Sequence, residues 1–411
     1  MNTMLPPKHP AAPAKSSAPA IESVELKYTT PAPRWGCRID VKESERATFT
    51  EFHVTATVEG DSAVDDMLGQ VAAVLARRKI QPIQEKLYGR SSARPDVLRR
   101  RENALRRAGL DPELPVTWIE GTPLAGGDFV GLQIWGVAPH DGEQCVWTVE
   151  NPATGRGRVW SGRGFRMLHL PAVRGTRPDG TLPAGHTAQA EQMFTNVGLG
   201  LEAHGLAYTD VARTWIYVSR LLEWYGELNR VRTAHYARVG LGVKGGPAFP
   251  ASTGIQGRMA DEECLVDVLA LRSDGPGDAE AAPIRCSPRQ DQSFNYGSAF
   301  SRGMTFAIEG RKTVHISGTA SINSAGASTH LGDAESQSFE TLMSIAAILE
   351  AQGGSLHHVT SATLFCKNLA AWEAWNRVTR LLQVPAFPKV CVLADVCRHD
   401  LLVEMEAVAV I

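Results

Sequence analysis

The chain repeats itself. Gln189 falls on Gln337, Leu201-Glu202-Ala203 on Leu349-Glu350-Ala351, Val211 on Val359, Tyr217 on Phe365 and Trp224 on Trp372, each pair 148 residues apart. After a one-residue gap, Asn229-Arg230-Val231 meets Asn376-Arg377-Val378, and Pro247-Ala248-Phe249-Pro250 returns letter for letter as Pro385-Ala386-Phe387-Pro388. An offset held through both apolar and turn positions is a duplication, so the two segments must share one fold.

The pattern of that fold is clearest in the last third. Residues 300–308 and 313–322 alternate as two strands around a tight turn at Glu309-Gly310-Arg311. Residues 334–352 carry apolar side chains at spacings of three and four, which predicts an amphipathic helix stopped by Gly353-Gly354. A strand over 359–366, a second helix over 370–382 and two closing strands complete a β-β-α-β-α-β-β unit. The first third fits more faintly, with a strand at 46–58, helices at 64–78 and 95–109, and Pro115 leading into residues 129–137. The expected layout is a disordered Pro/Ala-rich tail over 1–34, degenerate and complete units over 35–138 and 139–275, a linker over 276–289 and a last unit over 290–411. The fold class is α+β, with three tandem units of mixed sheet backed by helices.

The last strand poses a problem of its own. In Leu401 to Val410, Glu404 and Glu406 interrupt an apolar run and project from the same face, because side chains alternate along a strand. A carboxylate held there costs several kcal/mol unless it is paired, hydrogen-bonded or protonated. The plain reading is an edge strand with a wet face; the functional reading is a buried acid.

A net charge of -2 with 21% charged residues gives no electrostatic case for nucleic acid or an anionic membrane. The basic run Arg99 to Arg107 reads as a solvated helix face. No apolar run suits a signal peptide or a membrane span, and seven scattered cysteines lack metal-site spacing. The expectation is a cytoplasmic protein with reduced thiols, no metal and no organic cofactor.

Gly297-Ser298-Ala299-Phe300-Ser301, Ile316-Ser317-Gly318, the helix containing Gln337, and Leu402-Val403-Glu404-Met405-Glu406-Ala407 resemble the YjgF/RidA superfamily. That resemblance implies a chorismate-mutase-like sheet backed by two helices, normally assembled as a trimer. Three units in one chain would build the trimer internally, as an intrachain pseudo-threefold barrel, in a monomer or a homotrimer. Counting from the repeated prolines, Glu404 corresponds to Val266 in the middle unit and Gly131 in the first, so one site keeps its acid.

Within the superfamily, residues 190–411 are most similar to the chorismatases, through Tyr296 to Arg302, Val314 to Ile322 and Asp395 to Glu404. Thr214 to Tyr217, Trp224-Tyr225, Asn229 and Pro250 to Gly254 are also similar to that family. The resemblance implies cleavage of the enolpyruvyl group of chorismate, releasing pyruvate and a hydroxybenzoate. Enol-ether cleavage needs a proton on the terminal methylene, and desolvation raises a carboxyl pKa, so Glu404 is the candidate general acid. Arg398 and Arg302 are candidates for the substrate carboxylates. Tyr296, Phe300, Thr319, Ser252 and Thr253 are further candidates to bind substrate. Gly310 and Cys397 match residues that line the pocket of the 3-hydroxybenzoate-forming type. The alternatives are a RidA-like enamine or imine deaminase and a non-catalytic small-molecule-binding protein. Against the deaminase, Lys389 and Phe300 stand where that activity expects an arginine and a tyrosine.

Overall fold

A computed structural model describes residues 27–29, 36–243, 246–258, 262–275 and 279–411. In the first unit, β1 (Lys27–Thr29), β2 (Cys37–Glu45) and β3 (Phe49–Val58) precede α1 (Val64–Arg77), β4 (Gln81–Gly89), α2 (Arg94–Arg107), β5 (Thr117–Glu120) and β6 (Phe129–Pro139). In the second, β7 (Val146–Asn151), β8 (Gly155–Gly162) and β9 (Phe165–Arg174) precede α3 (His186–Ala203), β10 (Val211–Val218), α4 (Leu221–Arg238), β11 (Ala251–Gln256) and β12 (Cys264–Ser273). In the third, β13 (Ala279–Ile284), β14 (Gly303–Ile308) and β15 (Arg311–Ala320) precede α5 (Ala334–Ala351), β16 (Val359–Cys366), α6 (Leu369–Leu381), β17 (Lys389–Leu393) and β18 (Val403–Val410).

The three six-stranded sheets share one strand order. They run β1-β2-β3-β6-β4-β5, β7-β8-β9-β12-β10-β11 and β13-β14-β15-β18-β16-β17. In each, the pair following the first helix is the parallel one (β4 with β5, β10 with β11, β16 with β17). A helix crossover is what a parallel pair requires, so the α-helix between those strands fixes the topology. These are three units of one topology in an α+β protein.

Three details differ from the sequence expectation. Residues 279–284, read as linker, form β13 and pair antiparallel with β14; the strand is mostly small residues, three alanines with Glu280 and Pro283, so no strong apolar alternation marks it. Of the tail read over 1–34, residues 27–29 form β1 against β2, and the rest lies outside the described residues. The three sheets also do not fuse into one closed barrel. They meet through isolated bridges, Ala251 with Ser301 and Thr122 with Leu393, and through the Glu120 amide donating to the Gly257 carbonyl at 2.8 Å.

Burial explains why three open sheets stay together. Each sheet packs one face on its own two helices, forming three separate apolar cores. The opposite faces converge on a fourth core shared by all units, with Tyr88 and Trp135 from the first, Trp160 and Trp215 from the second, and Phe306 and Phe365 from the third. At roughly 25 cal/mol per Å² of apolar surface removed from water, this shared core binds the units far more strongly than the few bridges do. No helix among the described residues is long and apolar enough to cross a membrane.

Candidate active site

β18 is an interior strand, paired on one side with β15 and on the other with β16. Both its glutamates are buried, Glu404 at 4% and Glu406 at 6% exposure, so the wet edge-strand reading does not describe it. Their environments are opposite. Glu406 faces the shared centre, accepts from Arg213 Nη2 at 2.9 Å and Thr253 Oγ1 at 2.5 Å, and has Lys86 Nζ at 3.6 Å. Burial pushes its pKa up, but Lys86 and Arg213 outweigh that and hold it below the usual carboxylate range.

Glu404 has no such partner. Burial pushes its pKa up, and the charge on Glu406 adds to this, while the Cys397 thiol, Arg213 and Arg398 pull the other way; the result is about 8. The carboxyl is therefore protonated at neutral pH. Its seat is made by a bulge in β15, where Ser317 and Gly318 together oppose one residue of β18. A Cβ on Gly318 would lie 2.0 Å from Glu404 Oε1, so any side chain there would push the carboxyl from this position. The loop before β18 is pinned by Gln337 on α5, which accepts from the Leu402 amide at 2.7 Å and donates to the Asp400 carbonyl at 2.9 Å.

Glu404 opens into a cavity of about 730 Å³ between the second and third units. The third unit contributes Tyr296, Phe300, Arg302, Cys397 and Arg398, and the second contributes Tyr225, Asn229 and Arg232 from α4 and Ser252 from β11. Tyr225, Asn229 and Arg232 are spaced four and three apart, which places them on one face of α4. The two walls are stitched below by the Ser252 amide donating to Ser317 Oγ at 2.9 Å and by Ser301 Oγ donating to the Phe249 carbonyl at 2.6 Å.

The cavity is strongly cationic. Glu404 is the one carboxyl in its lining, against Arg230, Arg232, Arg302 and Arg398. Arg302 is buried and held by the Asp291 carbonyl at 2.8 Å and by the Tyr296 hydroxyl. Arg398 donates to the Gly326 carbonyl at 2.6 Å, and Arg232 to Asn229 Oδ1 at 2.7 Å. Among the described residues, no carboxylate lies within ion-pair distance of Arg232, Arg302 or Arg398. Buried guanidiniums cannot lose their charge, so the site is built to receive anionic groups.

The chain's architecture matches a known one. The crystal structure of a chorismatase superposes on 80% of this chain and 92% of its own, with a TM-score of 0.55 and 19% identity. This is the chorismatase fold. Residues 298–411 match the model of the Endoribonuclease L-PSP family. The YjgF gene product of E. coli aligns with 31% of the chain and 98% of its own at 23% identity and a TM-score of 0.26. E. coli TdcF, solved with bound serine, aligns with 31% and 99% at 19% identity and a TM-score of 0.27.

On the chorismatase fold, the residues singled out from sequence divide in two. Glu404, Arg398, Arg302, Cys397, Tyr296, Phe300 and Ser252 line the cavity. Thr253 lies behind its wall, accepting from the Gly318 amide at 3.0 Å and serving Glu406. Thr319 turns its hydroxyl to the Ser317 carbonyl at 2.8 Å and does not line the cavity. Gly310 sits at the far hairpin, at φ 76° with open space around it, because that tight turn needs a left-handed residue; the glycine against the acid is Gly318.

Strand register also corrects one equivalence. Phe365 pairs with Glu404, Tyr217 with Leu265 and Tyr88 with Gly131. The middle-unit counterpart of Glu404 is thus Leu265, not Val266, which faces the helices. A one-residue slip along a strand exchanges the faces of a sheet. Arg232 was not singled out from sequence, though the stripe it forms with Tyr225 and Asn229 on a helix that must bury one face was the available signal.

Proposed function

We propose that this protein cleaves the enolpyruvyl ether of chorismate to pyruvate and a hydroxybenzoate, with Glu404 as the general acid. The observation that carries the reading is a single protonated carboxyl facing a cavity with three arginines that lack a carboxylate partner. Chorismate has two carboxylates and an acid-labile enol ether, so its charge meets the arginines and its reacting carbon needs the proton. The shared fold with a chorismatase agrees with this.

In this mechanism, Arg232, Arg302 and Arg398 hold the two carboxylates. The electron pair of the enol double bond takes the Glu404 proton at the methylene carbon, leaving an oxocarbenium ion. Water adds to that ion, and the resulting hemiketal collapses to pyruvate and a ring diol. Loss of water from the diol gives the aromatic ring without any oxidant, so chorismate divides into pyruvate and hydroxybenzoate with no net water consumed. Glu406 pairs with Arg213 and Lys86, and burial, together with the charge on Glu406, helps keep Glu404 neutral.

We assign 3-hydroxybenzoate as the product. Its support is Cys397, which lines the cavity with Glu404 and whose thiol pKa is pushed up by burial and by that carboxyl; Gly310, far from the cavity, lends none. The test is to incubate the purified protein with chorismate, follow pyruvate and separate the ring products. Pyruvate with 3-hydroxybenzoate is expected; pyruvate with the diol keeps the reaction class and discards the product assignment, and no pyruvate discards the reading. The enamine deaminase alternative gains nothing, since Lys389 lines a different cavity and Phe300 has no hydroxyl.

A further inference from the structure

A second, much smaller cavity of about 40 Å³ lies where the three inner faces meet, lined by Lys86, Arg213, Trp215, His315, Thr363 and Glu406 among others. These six side chains are buried, and the space is close to the roughly 30 Å³ that one water molecule takes in the liquid. Arg213 Nε and Nη1 have no hydrogen-bond partner, and neither ring nitrogen of His315 has one. Burial, and then the nearby Arg213, keep His315 neutral, so it presents one N–H and one lone pair.

Donors therefore exceed acceptors. Arg213 brings three unmatched N–H groups and His315 a fourth, while Glu406, the carboxylate in the lining, is committed to Arg213 Nη2, Lys86, Thr253 and Thr363. Within the lining, Lys86 and Arg213 outnumber that carboxylate by one charge. Beyond the lining, Glu51 is engaged with Arg46, and Asp267 accepts at Oδ1 from Thr117 and the Ala172 amide while its buried Oδ2 has no hydrogen-bond partner. Buried donors without an acceptor are costly, and among the lining residues a metal cation would find no carboxylate that is not already taken up. A group that only accepts hydrogen bonds, carries one negative charge and fits a one-water space would answer both imbalances.

We propose that this axial cavity binds a monatomic halide, chloride or bromide, which accepts from Arg213 and His315 and ties the second and third units together at the pseudo-threefold axis. Its ligands come from β10 and β15, whose units form the two walls of the larger cavity. The proposal does not rest on the reaction proposed above.

Crystals of the full chain grown without halide and soaked in sodium bromide would be examined at the bromine absorption edge. The expected result is one anomalous peak in the cavity within hydrogen-bond reach of Arg213. Density there without anomalous signal would mean a water and would overturn the proposal. In solution, the melting temperature should rise with sodium chloride and not with sodium gluconate at equal ionic strength, and His315→Leu, which removes one donor, should flatten that dependence. Equal responses to both salts would also overturn it. If His315→Leu does not fold, the wild-type comparison of the two salts still decides.

Discussion

The cavity between the second and third units has a counterpart between the third and first. The latter encloses about 380 Å³ and is lined by Arg38, Asp40, Glu59, Trp372, Lys389 and Cys391 among others. The ladders make the two comparable: Ser252 pairs with Thr214 as Lys389 pairs with Ala362, and Gly254 with Ile216 as Cys391 with Leu364. The same scaffold thus builds two clefts, but in the second the buried acid, Asp40, is ion-paired with Arg38 at 2.8 Å, whereas Glu404 in the first has no ion-pair partner among the described residues. At the second, the position of Glu404 is Gly131, at φ 155°, where a Cβ would lie 2.1 Å from the Ala56 carbonyl oxygen. The backbone itself closes that position, so the acid is excluded by geometry as well as absent from the sequence. Symmetry supplies clefts; a local bulge and a glycine decide which can hold a proton.

The largest test of this contrast is Glu404→Gln, expected to lower the rate of pyruvate release about 10²- to 10⁴-fold, as for loss of a positioned proton donor. Residual activity near wild type would mean that the chemistry resides elsewhere, the second cleft included. Arg232→Met should weaken transition-state binding about 10- to 100-fold, in line with roughly 1.5–3 kcal/mol for a hydrogen bond to a charged group; steady-state kinetics with kcat and KM separated would show it chiefly in KM.

Acid function also fixes a sign. Glu404 keeps its proton up to about pH 8, so kcat/KM should fall about tenfold per pH unit above that point. Because the folded carboxyl binds its proton more tightly than its ordinary value of 4.5, the native state carries the extra proton between about 4.5 and about 8. Its contribution to stability therefore declines as pH rises through that window, and Glu404→Gln should lack the decline in denaturation measured across it.

A smaller effect is expected from Gly131→Ala. Forcing a side chain into that strained backbone should cost roughly 1–3 kcal/mol, read as a lower urea midpoint with the large cavity still functional. The smallest effect belongs to Lys389→Ala, which should leave pyruvate release unchanged in a progress-curve assay. A strong loss would show that the second cleft takes part.

Much of this was legible beforehand because it is periodic. The constant offset between Gln189 and Gln337 reflects one task performed twice: each side chain accepts from a backbone amide beside the last strand of its unit, Glu263 at 3.0 Å and Leu402 at 2.7 Å. The shared face of Glu404 and Glu406 followed from strand alternation. What escaped was whatever depends on register or on a neighbour. Leu265 was missed by one residue because a gapless count along the chain cannot see where a ladder shifts. Gly310 looked like a pocket residue because a turn glycine and a glycine under a carboxyl are the same letter. β13 was taken for linker because a short edge strand has little apolar surface to announce it.

The sequence by itself determined three units of one topology and placed two glutamates on one face of the final strand, because duplication and the two-residue period of a strand are written in residue order. Tertiary structure alone decided that Glu406 would meet Lys86 and Arg213 from the first and second units and stay ionised, while Glu404 would meet Gly318, Cys397 and a cavity and stay protonated. A carboxyl's charge depends on desolvation and on the charges a few ångströms away, and those are set by packing between units hundreds of residues apart.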